Sequence, residues 1–329
     1  MAKVVLTSTL IPVSDQDLRV FDGLTVEFTA VDGTSEAALM DATRDADAII
    51  VLAEHITRPV IENLQRCRSI TRFGIGVDTV DVEAATEHGI WVNNVPDANY
   101  REVATHAVAL ALALTRRLPL YDKAVKTEGW ASPMTGLQIR RADDQVFGLL
   151  GMGRIGKRVA AAANAIGFTV ITYDPVLTID AAAELGVELV TMGELVARSN
   201  VLSLHVPLTE ETRNIIDSSV LRSMPSGAVL INVSRGGLID EAALADALRG
   251  GHLAGAGLDV FTNEPLETTS PLRTLDNVLL SPHSAHASRE AWDETRRRVL
   301  EETARVLRGQ APKHPVNTPA SPRKQVSQA

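Results

Sequence analysis

Short apolar runs alternate with amphipathic or small-residue stretches along almost the whole chain, and this pattern predicts strands alternating with helices. Residues 4–7, 48–52, 70–75 and 90–94 are too short for buried helices and read as strands of a parallel sheet, with helical segments at 35–44 and 80–88 between them. A longer alanine- and leucine-rich helical pattern follows at 99–120, then a linker-like excursion at 121–144 that carries Trp130 and Pro133. The alternation resumes with strands at 146–150, 168–173, 201–205, 229–233, 256–260 and 277–280, and with helices at 157–166, 192–198 and 241–249. A final helix is predicted at 288–308, followed by a frayed tail at 310–329 rich in Pro, Ser, Lys and Gln. No internal repeat of fixed period is visible. The fold class is therefore α/β, with two doubly wound parallel sheets.

The junction between residues 146–150 and 157–166 is Gly151-Met152-Gly153-Arg154-Ile155-Gly156, and the next strand ends on Asp174. Strand, glycine turn, helix, strand and acid form the layout of a dinucleotide-binding unit. The first glycine permits the tight turn, the second lets backbone approach a pyrophosphate, and the third lets the helix pack close to the strand. The helix start offers N–H groups and a positive dipole end to phosphates. Asp174 can accept from both ribose hydroxyls and would repel a 2′-phosphate, which favours NAD over NADP. The motif sits mid-chain, so another domain must fold from the residues before it.

Composition narrows the partners. At 329 residues the chain suits two domains, and its 45% apolar and 22% charged residues are ordinary for a globular protein. The net charge of −9 argues against nucleic acid or an anionic membrane as partner, so an anionic substrate would need a local arginine. The single Cys67 excludes an internal disulfide and fits a reducing cytoplasm; in Gln65-Arg66-Cys67-Arg68 it reads as an inert thiol. The N-terminus lacks the apolar core of a signal peptide, and no uninterrupted run reaches transmembrane length.

Open α/β sheets bind ligands beyond the carboxyl ends of their strands. Arg235 follows the strand at 229–233 and precedes two glycines, while Asp259 is an acid within the next apolar strand, with Glu264-Pro265 in the loop after it. His283 ends the last strand, after Pro282. Each residue alone has an ordinary structural reading, as a solvated strand end, a turn or a packing histidine. Together they are what hydride transfer to a 2-keto acid requires.

These motifs, with Leu204-His205-Val206-Pro207-Leu208-Thr209, Arg72-Phe73-Gly74-Ile75-Gly76-Val77-Asp78 and Gly89 to Asn94, resemble the D-isomer-specific 2-hydroxyacid dehydrogenases in order and spacing over roughly residues 45–315. The resemblance implies two Rossmann-like domains with the active site in the cleft between them. A flavodoxin-like substrate domain would comprise 1–99 and 289–318, an NAD-binding domain 100–288, and a flexible tail 319–329. It implies NAD as cofactor and no metal. Arg235 would clamp the substrate carboxylate and polarise the C2 oxygen, His283 would exchange the hydroxyl proton, and Glu264 would orient the imidazole. Gly151, Gly153, Arg154, Ile155, Gly156, Asp174, His205, Pro207, Thr212 and Val233 would line the cofactor site, and Asp259 would hold the nicotinamide carboxamide. Backbone N–H groups of Gly74, Ile75 and Gly76 would bind the carboxylate. Asn99 matches a substrate-contacting position and is equally readable as the N-cap of the long helix. A homodimer packed through that helix and the excursion at 121–144 is implied as well.

Some residues depart from the family pattern. Ser284-Ala285-His286 replace the usual apolar and small residues, leaving His286 either near the substrate or at a plain turn. Ala104-Thr105-His106 stands for Ala-Glu-His, and Asp144-Gln145-Val146 for Gly-Lys-Thr. Glu54, beside His55 at the end of a first-domain strand, hints at a substrate hydroxyl or amine unless it turns outward. Two other activities fit the same scaffold, an NAD(H)-sensing corepressor and phosphite oxidation. Formate oxidation fits poorly, since the formate enzymes carry glutamine where Glu264 stands.

Overall fold

The computed structural model describes residues 1–33, 35–130 and 139–324. It divides into two compact units, Met1–Asn99 with Ser288–Ala329, and Tyr100–Ala287.

The first unit holds β1 (Ala2–Leu6), β2 (Val26–Ala30), β3 (Ala48–Val51), β4 (Ser69–Arg72) and β5 (Trp91–Asn93) in a parallel sheet of order β2-β1-β3-β4-β5. Successive side chains alternate between its faces. Val4, Leu6, Ala48 and Ile50 pack with Val299, Leu300, Ala304 and Leu307 of the helix Arg289–Leu307, while Val5, Ile49 and Val51 pack with Leu39, Ile61, Ala84 and Ala85 from the opposite helices. Each fully buried Leu or Ile contributes about 2 kcal/mol. Under the helix Arg289–Leu307 the buried Thr303 hydroxyl reaches Thr71 Oγ1 at 3.0 Å, and Asn93 Nδ2 donates to Thr71 Oγ1 at 2.9 Å. Burying these polar groups costs little because each is hydrogen-bonded. Cys67 is buried too, and its burial pushes the thiol up to about 12, which leaves it unreactive.

The residues that the sequence assigns to a frayed tail are strapped down as far as Arg323. Asn317 Oδ1 accepts from Val92 N at 2.7 Å and its Nδ2 donates to Ile90 O at 2.9 Å, while Val316 N donates to Val92 O at 2.7 Å. Arg323 Nη1 then reaches Leu64 O at 2.8 Å. The strap covers the exposed backbone of β5, which would otherwise be an unpaired sheet edge. The expected flexible tail at 319–329 is thus corrected as far as Arg323, and 325–329 lie outside the described residues.

In the second unit β6 (Val146–Leu150), β7 (Thr169–Tyr173), β8 (Glu188–Leu189), β9 (Val201–Leu204), β10 (Ala228–Asn232), β11 (Leu253–Leu258) and β12 (Val278–Leu280) form a parallel sheet of order β12-β11-β10-β9-β6-β7-β8. The order reverses between β6 and β9, which opens a crevice at their carboxyl ends. One face is covered by Val103, Ala107, Leu110 and Ala111 of the helix Tyr100–Thr115 and by Val159, Ala160 and Ala163 of the helix Arg154–Ile166. The other is covered by Leu195 and Val196 of Met192–Arg198 and by Leu244, Ala245 and Leu248 of Glu241–Arg249. Both of these last helices have strong start signals. Thr191 and Glu194 form a capping box, and the Asp240 side chain accepts from Ala243 N.

The single helix expected at 99–120 is two, Tyr100–Thr115 and Leu118–Glu128, because Arg117 adopts a left-handed φ of 54° and Pro119 follows. The excursion expected at 121–144 therefore starts as helix, and its Pro133 lies outside the described residues. Leu118, Leu120, Val125 and Trp130 are exposed here, on the segment to which the resemblance assigns a homodimer contact. No described helix is long and apolar enough to cross a membrane.

Candidate active site

The glycine turn leaves β6 at the crevice. Gly151 has φ +97°, and a Cβ on it would lie 2.9 Å from the His205 carbonyl, while one on Gly156 would lie 2.3 Å from Gly151 O. Glycine at both positions is what lets strand, turn and helix close on one another. A Cβ at Gly153, by contrast, would meet nothing within 4 Å. That open side faces the start of the helix Arg154–Ile166, whose cap supplies no side-chain acceptor, so its first-turn N–H groups suit a pyrophosphate. Arg154 is exposed at this start and Ile155 half-buried. Asp174 Oδ2 accepts from Met152 N at 2.7 Å and Oδ1 from Val176 N at 3.0 Å, which fixes its carboxylate beside the turn with acceptor sites to spare for a ribose. These residues fit an NAD molecule.

His205 sits across the crevice at the end of β9, its N–H donating to Leu150 O at 2.7 Å and its Nε2 lying 2.9 Å from Ser203 Oγ. Burial pushes its imidazole down to about 3, so the ring is neutral, and its buried Nδ1 has no hydrogen-bond partner among the described residues. The Thr212 hydroxyl donates to Pro207 O at 2.8 Å and closes that loop on itself, while Val233 is buried beyond β10.

The chemistry-bearing residues converge at the ends of β10, β11 and β12. Asn232, fully buried, folds the loop after β10 by donating from Nδ2 to Arg235 O at 2.8 Å and accepting from Ser234 N at 3.0 Å. Arg235 is steadied by a 2.7 Å bond from Nη1 to Ser234 O. The next residue, Gly236, lies so close to the loop after β11 that a Cβ on it would stand 1.8 Å from Phe261 C, which locks the two loops together. Glu264 Oε1 accepts from Phe261 N at 2.9 Å and its Oε2 lies 2.7 Å from His283 Nδ1. An ionised carboxylate can only accept, so Nδ1–H donates and Nε2 is left for a substrate. Burial pushes the Glu264 carboxyl up. Hydrogen bonds from His283 and Phe261 N, with the charges of His283 and Arg235, outweigh that and hold it below the usual carboxylate range. Glu264 therefore stays ionised at neutral pH.

His283 has φ +51°, a left-handed conformation that costs a branched or bulky residue about 1–2 kcal/mol. Its N–H donates to Asp259 O at 2.7 Å. Asp259 is only 1% exposed, and its carboxylate accepts from Ser281 Oγ (2.6 Å), Ser284 N (2.9 Å) and Ala285 N (2.8 Å). It braces the loop that carries His283 and keeps about one acceptor site for anything else. The His286 ring stands edge-on to the His283 ring with centroids 6.2 Å apart.

In the first unit, Gly74, Ile75 and Gly76 lie just beyond β4. Gly74 N donates to Arg72 O at 2.9 Å, and Ile75 O accepts from Asn94 Nδ2 at 2.6 Å. Asn99 is buried and its Oδ1 has no hydrogen-bond partner among the described residues, so it does not serve as the helix cap. Glu54 turns back onto its own loop, where Oε2 accepts from Thr7 Oγ1 (2.6 Å) and Leu52 N (3.0 Å). It is therefore not turned outward, and its Oε2 is taken up by these contacts. Sequence reasoning missed Asn232, Ser281 and the contact of His106 with Ser281; the available signal was a polar residue at the buried end of an apolar strand.

Residues 108–285 match the family described as D-isomer specific 2-hydroxyacid dehydrogenase, NAD binding domain. The chain is similar to D-3-phosphoglycerate dehydrogenase of Mycobacterium tuberculosis, 40% identical over 287 residues, which cover 87% of this chain and 54% of that protein. It is also similar to glyoxylate reductase of Korarchaeum cryptofilum, 38% identical over 86% of each chain. Among solved structures, D-lactate dehydrogenase of Aquifex aeolicus with NAD and lactic acid superposes with a TM-score of 0.81 at 27% identity, covering 93% of this chain and 96% of that one. The chain spans about half the length of the mycobacterial D-3-phosphoglycerate dehydrogenases it matches. With a parallel sheet carrying both the dinucleotide turn and the arginine–glutamate–histidine set, the chain belongs to the D-isomer-specific 2-hydroxyacid dehydrogenase family.

Proposed function

We propose that the protein interconverts a small D-2-hydroxy acid and its 2-keto acid with NAD. The observation that carries this reading is the 2.7 Å His283–Glu264 pair at successive strand ends with Arg235, in the unit that also holds the glycine turn. The bound dinucleotide would supply the hydride acceptor for oxidation at substrate C2 and, reduced, the hydride donor for the reverse reaction. Arg235 grips the substrate carboxylate in bidentate fashion and polarises the C2 oxygen. His283 Nε2 takes the hydroxyl proton in oxidation or donates it in reduction. Glu264 holds Nδ1–H, which fixes the ring orientation and stabilises the imidazolium formed when Nε2 is protonated. Asp174 favours NAD, because a 2′-phosphate would face its carboxylate. Relatives that include a glyoxylate reductase and a D-lactate dehydrogenase support a 2-keto acid substrate.

The test is NADH consumption with glyoxylate, hydroxypyruvate, 3-phosphohydroxypyruvate, phenylpyruvate, 2-ketoglutarate and oxaloacetate. Turnover is expected on at least one of them. NADH binding without turnover on any would overturn the enzymatic reading in favour of an NAD(H) sensor.

A further inference from the structure

Asp259 is a carboxylate taken almost wholly out of water, and a buried charge persists only where donors or a cation compensate it. Two of its donors are backbone N–H groups of the His283 loop, Ser284 and Ala285, and the third is the Ser281 hydroxyl. Ser281 in turn lies 2.9 Å from His106 Nε2, on the helix Tyr100–Thr115. The serine hydroxyl has one proton and spends it on Asp259 at 2.6 Å, so its oxygen accepts from His106 and Nε2 of His106 carries hydrogen. His106 Nε2 is also 3.8 Å from Asp259 Oδ1. The chain of contacts runs from a helix packed on the sheet, through the last residue before Pro282, to the carboxylate that holds Ser284 N and Ala285 N, the two backbone groups directly after the left-handed His283.

We propose that His106 and Ser281 are positioning residues for His283, acting through Asp259. The inference rests on the acid–base role proposed above for His283. Without the Ser281 hydroxyl, Asp259 keeps its two backbone donors, and its hydrogen-bonded tie to the helix Tyr100–Thr115 is reduced to the 3.8 Å approach of His106. The His283 loop is then free to leave the unfavourable φ of +51°, and the imidazole drifts from the reacting oxygen. Misplacement of a reacting group by a fraction of an ångström lowers kcat by about tenfold, whereas the glycine turn and Asp174, which offer the dinucleotide most of its contacts, lie outside this chain of bonds.

The experiment compares Ser281→Ala, Ser281→Thr and His106→Leu with the parent protein by steady-state kinetics and by NMR of the low-field Nδ1–H proton of His283, which bonds Glu264. For Ser281→Ala and His106→Leu, kcat should fall about tenfold with the KM for NADH changed less than about twofold, and the low-field resonance should broaden or vanish. Ser281→Thr, which keeps the hydroxyl, should restore both. Unchanged kcat and resonance in Ser281→Ala would overturn the proposal, as would a loss confined to the KM for NADH. If the parent turns over none of the keto acids, the functional reading fails, yet the resonance comparison still decides whether the Ser281 contact positions His283.

Discussion

Replacing His283 with alanine lowers kcat by about three orders of magnitude or more, while the Kd for NADH stays within about twofold of the parent value. The loss is large because, in the proposed mechanism, one nitrogen of this ring carries the proton exchanged with the substrate oxygen while the other is bonded to Glu264 Oε2. The cofactor should be spared because the glycine turn and Asp174, which would hold it, follow β6 and β7 and not β12. Alanine at φ +51° would add strain, so His283→Asn is the better-matched companion, since asparagine tolerates the left-handed region. Steady-state kinetics with an NADH fluorescence titration reads both quantities. Turnover within tenfold of the parent in both variants would remove His283 from the acid–base role.

Arg235→Lys keeps the charge and loses the planar fork. Losing one charge-assisted hydrogen bond of about 2–3 kcal/mol predicts a fall in kcat/KM of about 10²-fold. Part of the loss should lie in kcat, because the bond to the C2 oxygen strengthens as negative charge develops there. The geometry gives lysine no way to recover the bond, since the loop is held by Asn232 and by the close contact of Gly236 with Phe261. A lysine variant with parental kcat/KM on the best keto acid would show that the carboxylate is gripped elsewhere.

The two layers of this molecule were unequally legible in the sequence. The helices Met192–Arg198 and Glu241–Arg249 could be read to the residue because Thr191 with Glu194, and Asp240, mark their starts chemically. The central strands could be read because both faces of each are buried, which leaves continuous apolar runs. Edge strand β2 was missed: Val-Glu-Phe-Thr-Ala is half-buried and alternating, a weak signal over five residues. The break at Arg117 was hidden because an alanine- and leucine-rich pattern continues on both sides of it. The C-terminal strap was misread because its composition resembles a disordered tail, whereas Asn317 and Arg323 are held by backbone groups of residues far away in sequence.

For the site, Arg235, Glu264 and His283 stood out as charged or titratable residues at the ends of apolar runs, and their order matched one chemistry. The residues that hold them did not stand out. Asn232, Ser281 and His106 are ordinary polar residues until tertiary contacts place them under the loops they brace. Glu54 shows the opposite case, a conspicuous carboxylate whose Oε2 is engaged by Thr7 and the backbone of its own loop.

Hydride transfer itself can be followed with NADH deuterated at nicotinamide C4, using the two stereoisomers separately and the best keto acid of the panel. From one of the two isomers, deuterium should appear at C2 of the product, and that product should be the D-2-hydroxy acid. A product of L configuration, or one free of deuterium from both isomers, would contradict direct transfer at a site built from Arg235, Glu264 and His283.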